Sequence, residues 1–112
     1  MRTALAALVF ASAIAEPATA DVLYKNFDAN REKPSYIGYV EGVARGISWM
    51  NAWAATEGKR VYCTPPDRAL TNEQIIDILD RHVQKQGRTA RDDYIELLLI
   101  NALRSLFPCP TD

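Results

Sequence analysis

Few residues in this 112-residue chain have side chains suited to chemistry. They are two cysteines, Cys63 and Cys109, one histidine, His82, and the carboxylates Asp77, Asp80, Asp92, Asp93 and Glu96. Cysteine thiolates beside an imidazole would make a nucleophile and base, or three of the four ligands that a structural zinc needs. Both uses require reduced sulfur. The carboxylates could form a paired acid/base site, but each stands at a helix start or among arginines, where capping and ion pairing account for it. The chain has no glycine-rich phosphate loop, no serine elbow and no zinc-protease helix. The sequence therefore offers no catalytic residues, no metal site and no cofactor site.

The redox state of the cysteines follows from the first twenty residues. MRTALAALVFASAIAEPATA begins with Arg2, runs uncharged from Ala4 to Ala15 and ends Ala18-Thr19-Ala20. Positive start, apolar middle and small residues at the end are the order of a cleavable secretory signal. The apolar run is well short of the roughly 20 residues that span a membrane, and no cysteine near the cleavage point could carry a lipid. The expectation is cleavage after Ala20, no membrane anchor, a periplasmic destination and one mature domain over 21–112. In an oxidising compartment an even cysteine count reads as a bridge, here Cys63–Cys109. Across a separation of 46 residues, chain entropy puts its stabilisation at about 4 kcal/mol. Thirteen basic residues against 14 acidic ones, net −1, exclude the basic excess of a nucleic-acid binder.

The elements that must position these residues are helical. Asp21 to Lys33 is polar apart from Tyr24 and Phe27, and reads as an ordered arm or short helix. Pro34 suits a first helical turn, and from Ser35 to about Thr56 apolar residues recur at Ile37, Val40, Ala44, Ile47 and Met50 or Asn51 until Gly58 stops the run. A connector over Lys59–Leu70 contains Pro65 and Pro66. Thr71-Asn72-Glu73-Gln74 has the form of a capping box, followed by Ile75, Ile76, Leu79 and Val83 and closed by Gly87. A third helix is expected from Thr89, with Asp92 and Asp93 in its first turn. Its stripe is Ile95, Leu98, Leu99, Ala102 and Leu106, widened by Tyr94, Leu97 and Leu103, which makes it the most buried helix. The fold class is all-α: a small bundle of three main helices with a short N-terminal arm or helix and one disulfide.

Three glycines, Gly38, Gly42 and Gly46, stand four apart inside the first long helix, where each costs about 1 kcal/mol relative to alanine. Two arrangements would offset that cost. Either another helix packs closely along the strip, which is the expected arrangement, or a ligand or partner backbone lies there and continues onto Met50 and Trp53. Trp49 and Trp53 are also four apart and so are surface neighbours. One is expected in the core and the other partly exposed as an interface anchor.

Three passages together carry a family resemblance: Ile37-Gly38-Tyr39-Val40-Glu41-Gly42-Val43, then Tyr62-Cys63-Thr64-Pro65-Pro66 with Thr71-Asn72-Glu73-Gln74-Ile75, then Ala102-Leu103 through Leu106-Phe107-Pro108-Cys109. In order and spacing they resemble the Rap/Tai family of periplasmic immunity proteins associated with type VI secretion. The resemblance implies an all-helical, disulfide-linked protein without catalytic activity that binds and neutralises a peptidoglycan-cleaving amidase effector. Relatives often carry two further cysteines, one where this chain has Tyr36 and one upstream, where 25–30 contains none. The loss implies a less constrained N-terminal arm. Partner-binding candidates are Trp49, Met50, Trp53, Lys59 and Arg60, with the connector up to Arg68; a homodimer is compatible with the same residues. The competing expectation is a stress-protective, chaperone-like or structural periplasmic protein with no toxin partner.

Overall fold

The computed structural model describes residues 21–111, so the expected signal segment lies outside the described residues. Four α-helices follow one another: α1 (Tyr24–Ala29), α2 (Pro34–Ala55), α3 (Asn72–Gln86) and α4 (Ile95–Leu106), with a 3-10 turn over Arg88–Asp92. The described chain is all-α, as the periodicities require, and the anticipated arm is a short helix. No described helix is long and apolar enough to cross a membrane.

Local signals set most boundaries. Pro34 occupies the first turn of α2. That helix unwinds through Gly58, whose φ of 69° is accessible without strain only to glycine, while Lys59 N donates back to Ala54 O at 2.9 Å. The capping box of α3 is complete: Gln74 N donates to Thr71 Oγ1 at 3.1 Å and Thr71 N to Gln74 Oε1 at 2.8 Å. Gly87 ends α3 with φ 97°.

The last helix starts later than its sequence suggests. Asp92 and Asp93 do not enter its first turn, because the backbone there has a competing partner. Tyr24 N donates to Asp93 O at 2.9 Å and Ile95 N to Val22 O at 3.1 Å, an antiparallel bridge centred on Leu23 and Tyr94. Those bonds hold 93–94 extended and delay α4 to Ile95. Asp92 instead pairs with Lys25 at 3.0 Å on the surface, where such a pair contributes little.

The core forms where α3 meets α4. Ile75, Leu79 and Val83 face Ile95, Leu98, Leu99, Ala102 and Leu103, with Tyr24, Phe27, Val40, Tyr62 and Ala90 closing the edges. Full burial of a leucine such as Leu99 stabilises by roughly 1.5–3 kcal/mol. α4 is the most buried helix, although Tyr94, Leu97 and Leu106 fall outside the stripe and are about half exposed.

The N-terminal region is more constrained than the missing cysteine pair implies. Tyr24 Oη donates to Asp80 Oδ1 at 2.7 Å, and Arg31 Nη2 donates to the same oxygen at 2.6 Å. Arg31 Nε donates to Asp28 Oδ1 at 2.7 Å, and Arg91 reaches Asp28 Oδ2 at 2.9 Å. The Arg31 guanidinium lies 5.0 Å from the centre of the Phe27 ring. Hydrogen-bonded arginines hold the Asp28 carboxyl below its ordinary range, and burial with the Asp80 hydrogen bond pushes the Tyr24 phenol well above its own. Charge and aromatic packing thus fasten α1 to α3 without a covalent link.

Candidate functional site

At 100° per residue, Val40, the one fully buried residue of α2, defines that helix's inward side. Gly38, Gly42, Gly46, Trp49 and Trp53 then fall on the opposite side, with Met50 on its flank. The side chains bear this out: Trp49 is 75% exposed, Met50 62% and Trp53 58%. Neither tryptophan is in the core, which corrects the expectation for the pair. The expectation of close packing along Gly38, Gly42 and Gly46 is corrected as well. A Cβ built on any of the three meets nothing within 4 Å. The strip points to open space because Val40, Ala44 and Ile47 claim the core-facing side of the same helix.

This face continues onto the connector, which Asn51 holds in place. Asn51 Oδ1 accepts from Val61 N at 2.7 Å, and its Nδ2 donates to Tyr62 O at 2.9 Å. A buried Tyr62 ring and the Cys63–Cys109 disulfide, with Cα atoms 4.9 Å apart, fix the same stretch from the other side, and Cys63 N donates to Phe107 O at 2.8 Å. Burial pushes the Tyr62 phenol up. Val61 is thereby left about half exposed beside Met50 and Trp53. Between α2, the connector and α4 lies an almost wholly apolar groove of about 340 Å³, lined by Ile47, Met50, Trp53, Val61, Tyr62 and Ile100. Lys59 and Arg60 follow the Gly58 turn, are exposed and enter no ion pair among the described residues.

The structure therefore brings Trp49, Met50 and Trp53 together beside the glycine strip. Val61 and Tyr62 fall in the connector that the sequence offered as a candidate, and the Asn51 clamp and the disulfide hold them there, whereas Ile100, from α4, was not foreseen. The one local signal was a polar residue, Asn51, at a core-facing position of α2.

The residues that could do chemistry are scattered by contrast. Both sulfurs are in the disulfide. His82 lies beside Asp77, Arg81 and Lys85 in a groove between α3 and α4, its pKa lowered by partial burial and then by Lys85. Asp77 pairs with Arg81 at 2.8 Å, Asp80 belongs to the Tyr24–Arg31 network, and Glu96 accepts a hydrogen bond from Tyr39. Only His82 and Asp77 share a groove, and there Asp77 is engaged by Arg81. What α2 and the connector present is a largely apolar face, with Trp49, Met50 and Trp53 exposed beside the open glycine strip and Lys59 and Arg60 at its margin.

The sequence signature of Rap1a immunity proteins matches residues 12–109. No curated protein and no solved structure matches the chain.

Proposed function

The chain belongs to the Rap1a immunity protein family, and from that premise we propose that it is an exported, non-catalytic inhibitor of a peptidoglycan-cleaving amidase effector delivered by type VI secretion. On this reading the segment up to Ala20 directs export and is removed, and the mature domain works in the periplasm. There it meets the effector before the cell wall is cut. The carrying observation is the outward face of α2. Trp49, Met50 and Trp53 are all more than half exposed, beside three glycines with free space above them.

Exposed tryptophans on a rigid helix are costly in water and are the residue type most enriched among binding hot spots. The glycines let a partner backbone approach the helix axis, and Val61 extends the apolar area onto the connector. Lys59 and Arg60 set a basic rim suited to an acidic margin on the effector. A stress-protective role would use apolar surface too, but it gives no account of family membership or of the glycine strip.

The test is co-expression in the periplasm with candidate wall amidases, beginning with the product of any adjacent gene. Rescue of growth together with a purified complex is the expected result. Absence of both rescue and complex with every amidase tried would overturn the proposal. A mature chain that instead suppressed aggregation of unfolded clients at low pH would favour the stress-protective role.

A further inference from the structure

At the other end of α2, one oxygen of the partly buried Glu96 carboxylate lacks a partner among the described residues. Glu96, in the first turn of α4, accepts a hydrogen bond from Tyr39 Oη through Oε2. Its Oε1 is inaccessible to solvent and has no hydrogen-bond partner among the described residues. An acceptor oxygen removed from water without a donor is costly, so Oε1 calls for a hydrogen-bond donor. Burial and the Glu96 contact push the Tyr39 phenol up to about 12, so across the neutral range it supplies a single proton to this carboxylate and no charge.

The chain's N-terminal segment is held against this spot. Val22 N donates to Tyr39 Oη at 3.3 Å, and the backbone bridge pairs Leu23 with Tyr94. Ile95 N also donates to Val22 O at 3.1 Å, so Val22 lies against the start of α4. Asp21 N is three covalent bonds from Val22 N, which limits it to within roughly 7 Å of Tyr39 Oη. In the precursor, Asp21 N is a neutral amide. Hydrolysis of the Ala20–Asp21 bond by signal peptidase consumes one water and leaves a carboxylate on Ala20 and an ammonium on Asp21.

We infer that this new α-ammonium is the missing partner of Glu96, so that removal of the signal completes an ion pair and stabilises the mature domain. The inference rests on cleavage after Ala20 as proposed above. The titratable groups next to this segment are the Asp21 carboxylate, Tyr39 from α2, which accepts from Val22 N, and Glu96 from α4, which accepts from Tyr39. The precursor would be held in a less stable state, suited to export, and the exported product would tighten once cut. The pairing is independent of toxin binding, because it lies at the opposite end of α2 from Trp49 and Trp53.

All of the core residues lie between Tyr24 and Leu103, so the chain beginning at Asp21 carries the whole fold. Two chains ending at Asp112 are compared, one beginning at Asp21 and one retaining Thr19 and Ala20, each with Glu96 and with Glu96→Gln. With Glu96, the two-residue extension is expected to lower Tm by about 4 °C or more; with Glu96→Gln, the difference should vanish. An equal shift in both backgrounds, or none with Glu96, would overturn the inference. If Glu96→Gln does not fold, NMR titration of the α-amine in the Asp21 chain gives the same answer. A pKa above the ordinary range of about 7.7–8.0 supports the pair, and one within it overturns the pair. Because the Asp21 chain is made directly, this outcome does not depend on where export cleaves, which the mass of the exported protein reports separately.

Discussion

α2 and α4 are both rich in apolar residues but use them differently. α4 buries five of its 12 residues, whereas α2 buries one of 22. The buried apolar side chains of α4 sit at i, i+3, i+4, i+7 and i+8 and so form one stripe against α3. The apolar side chains of α2 are spread around the helix, and Trp49, Met50 and Trp53 fall outside the sector that the core can cover. Hydrophobic content alone therefore does not separate residues that fold this protein from residues that it displays. The angle each one takes relative to Val40 does.

The largest effect bearing on this contrast is expected from the disulfide, which joins the end of α4 to the connector beside α2. Reduction should cost about 4 kcal/mol in denaturant unfolding; an unchanged midpoint would mean that the two regions are coupled by packing alone. Next comes the direct comparison of helices. Leu99→Ala, at a fully buried position, should lose about 3 kcal/mol, while Trp53→Ala should change unfolding by no more than about 0.5 kcal/mol. Similar losses at both sites would break the distinction.

Gly42→Ala sharpens it with the opposite sign. The added methyl meets open space, so the free protein should gain about 0.5–1 kcal/mol while partner binding weakens. A loss of stability would show that something packs on the strip. The smallest effect is expected at partly exposed Asp28, at the α1 end. Arg31 and Arg91 lower its pKa in the folded state, so its contribution is fully present above the ordinary carboxylate pKa near 4 and is lost as pH falls through the lower folded value. Asp28→Asn should flatten the acid limb of a Tm-against-pH curve, and an unaltered limb would remove that network from the account.

Much of the fold was legible in the sequence because its signals are local. Pro34, Gly58, the Thr71–Gln74 box and Gly87 mark the helix ends where the sequence places them. The start of α4 was not legible, since Asp92 and Asp93 satisfy a local rule that a non-local backbone bridge to Val22 and Tyr24 overrides. The hold on α1 was hidden for a similar reason: Asp80 and Arg31 are 49 positions apart. On the outward face of α2, residue types singled out Trp49, Met50 and Trp53, and the structure leaves all three exposed. Which side of α2 the core would take was not fixed by pattern, because apolar residues lie on both sides. The open glycine strip and the placing of Val61 and Ile100 follow from that tertiary choice.

The central claim is that the outward face of α2 serves binding and not folding. Its most direct test is the affinity of the Trp49→Ala/Trp53→Ala double variant for the amidase effector proposed as its partner, measured beside its thermal unfolding. Affinity is expected to be at least about 100-fold weaker, with loss of protection against the effector and a Tm within a few degrees of the parent. Full affinity and full protection in a folded double variant would contradict it.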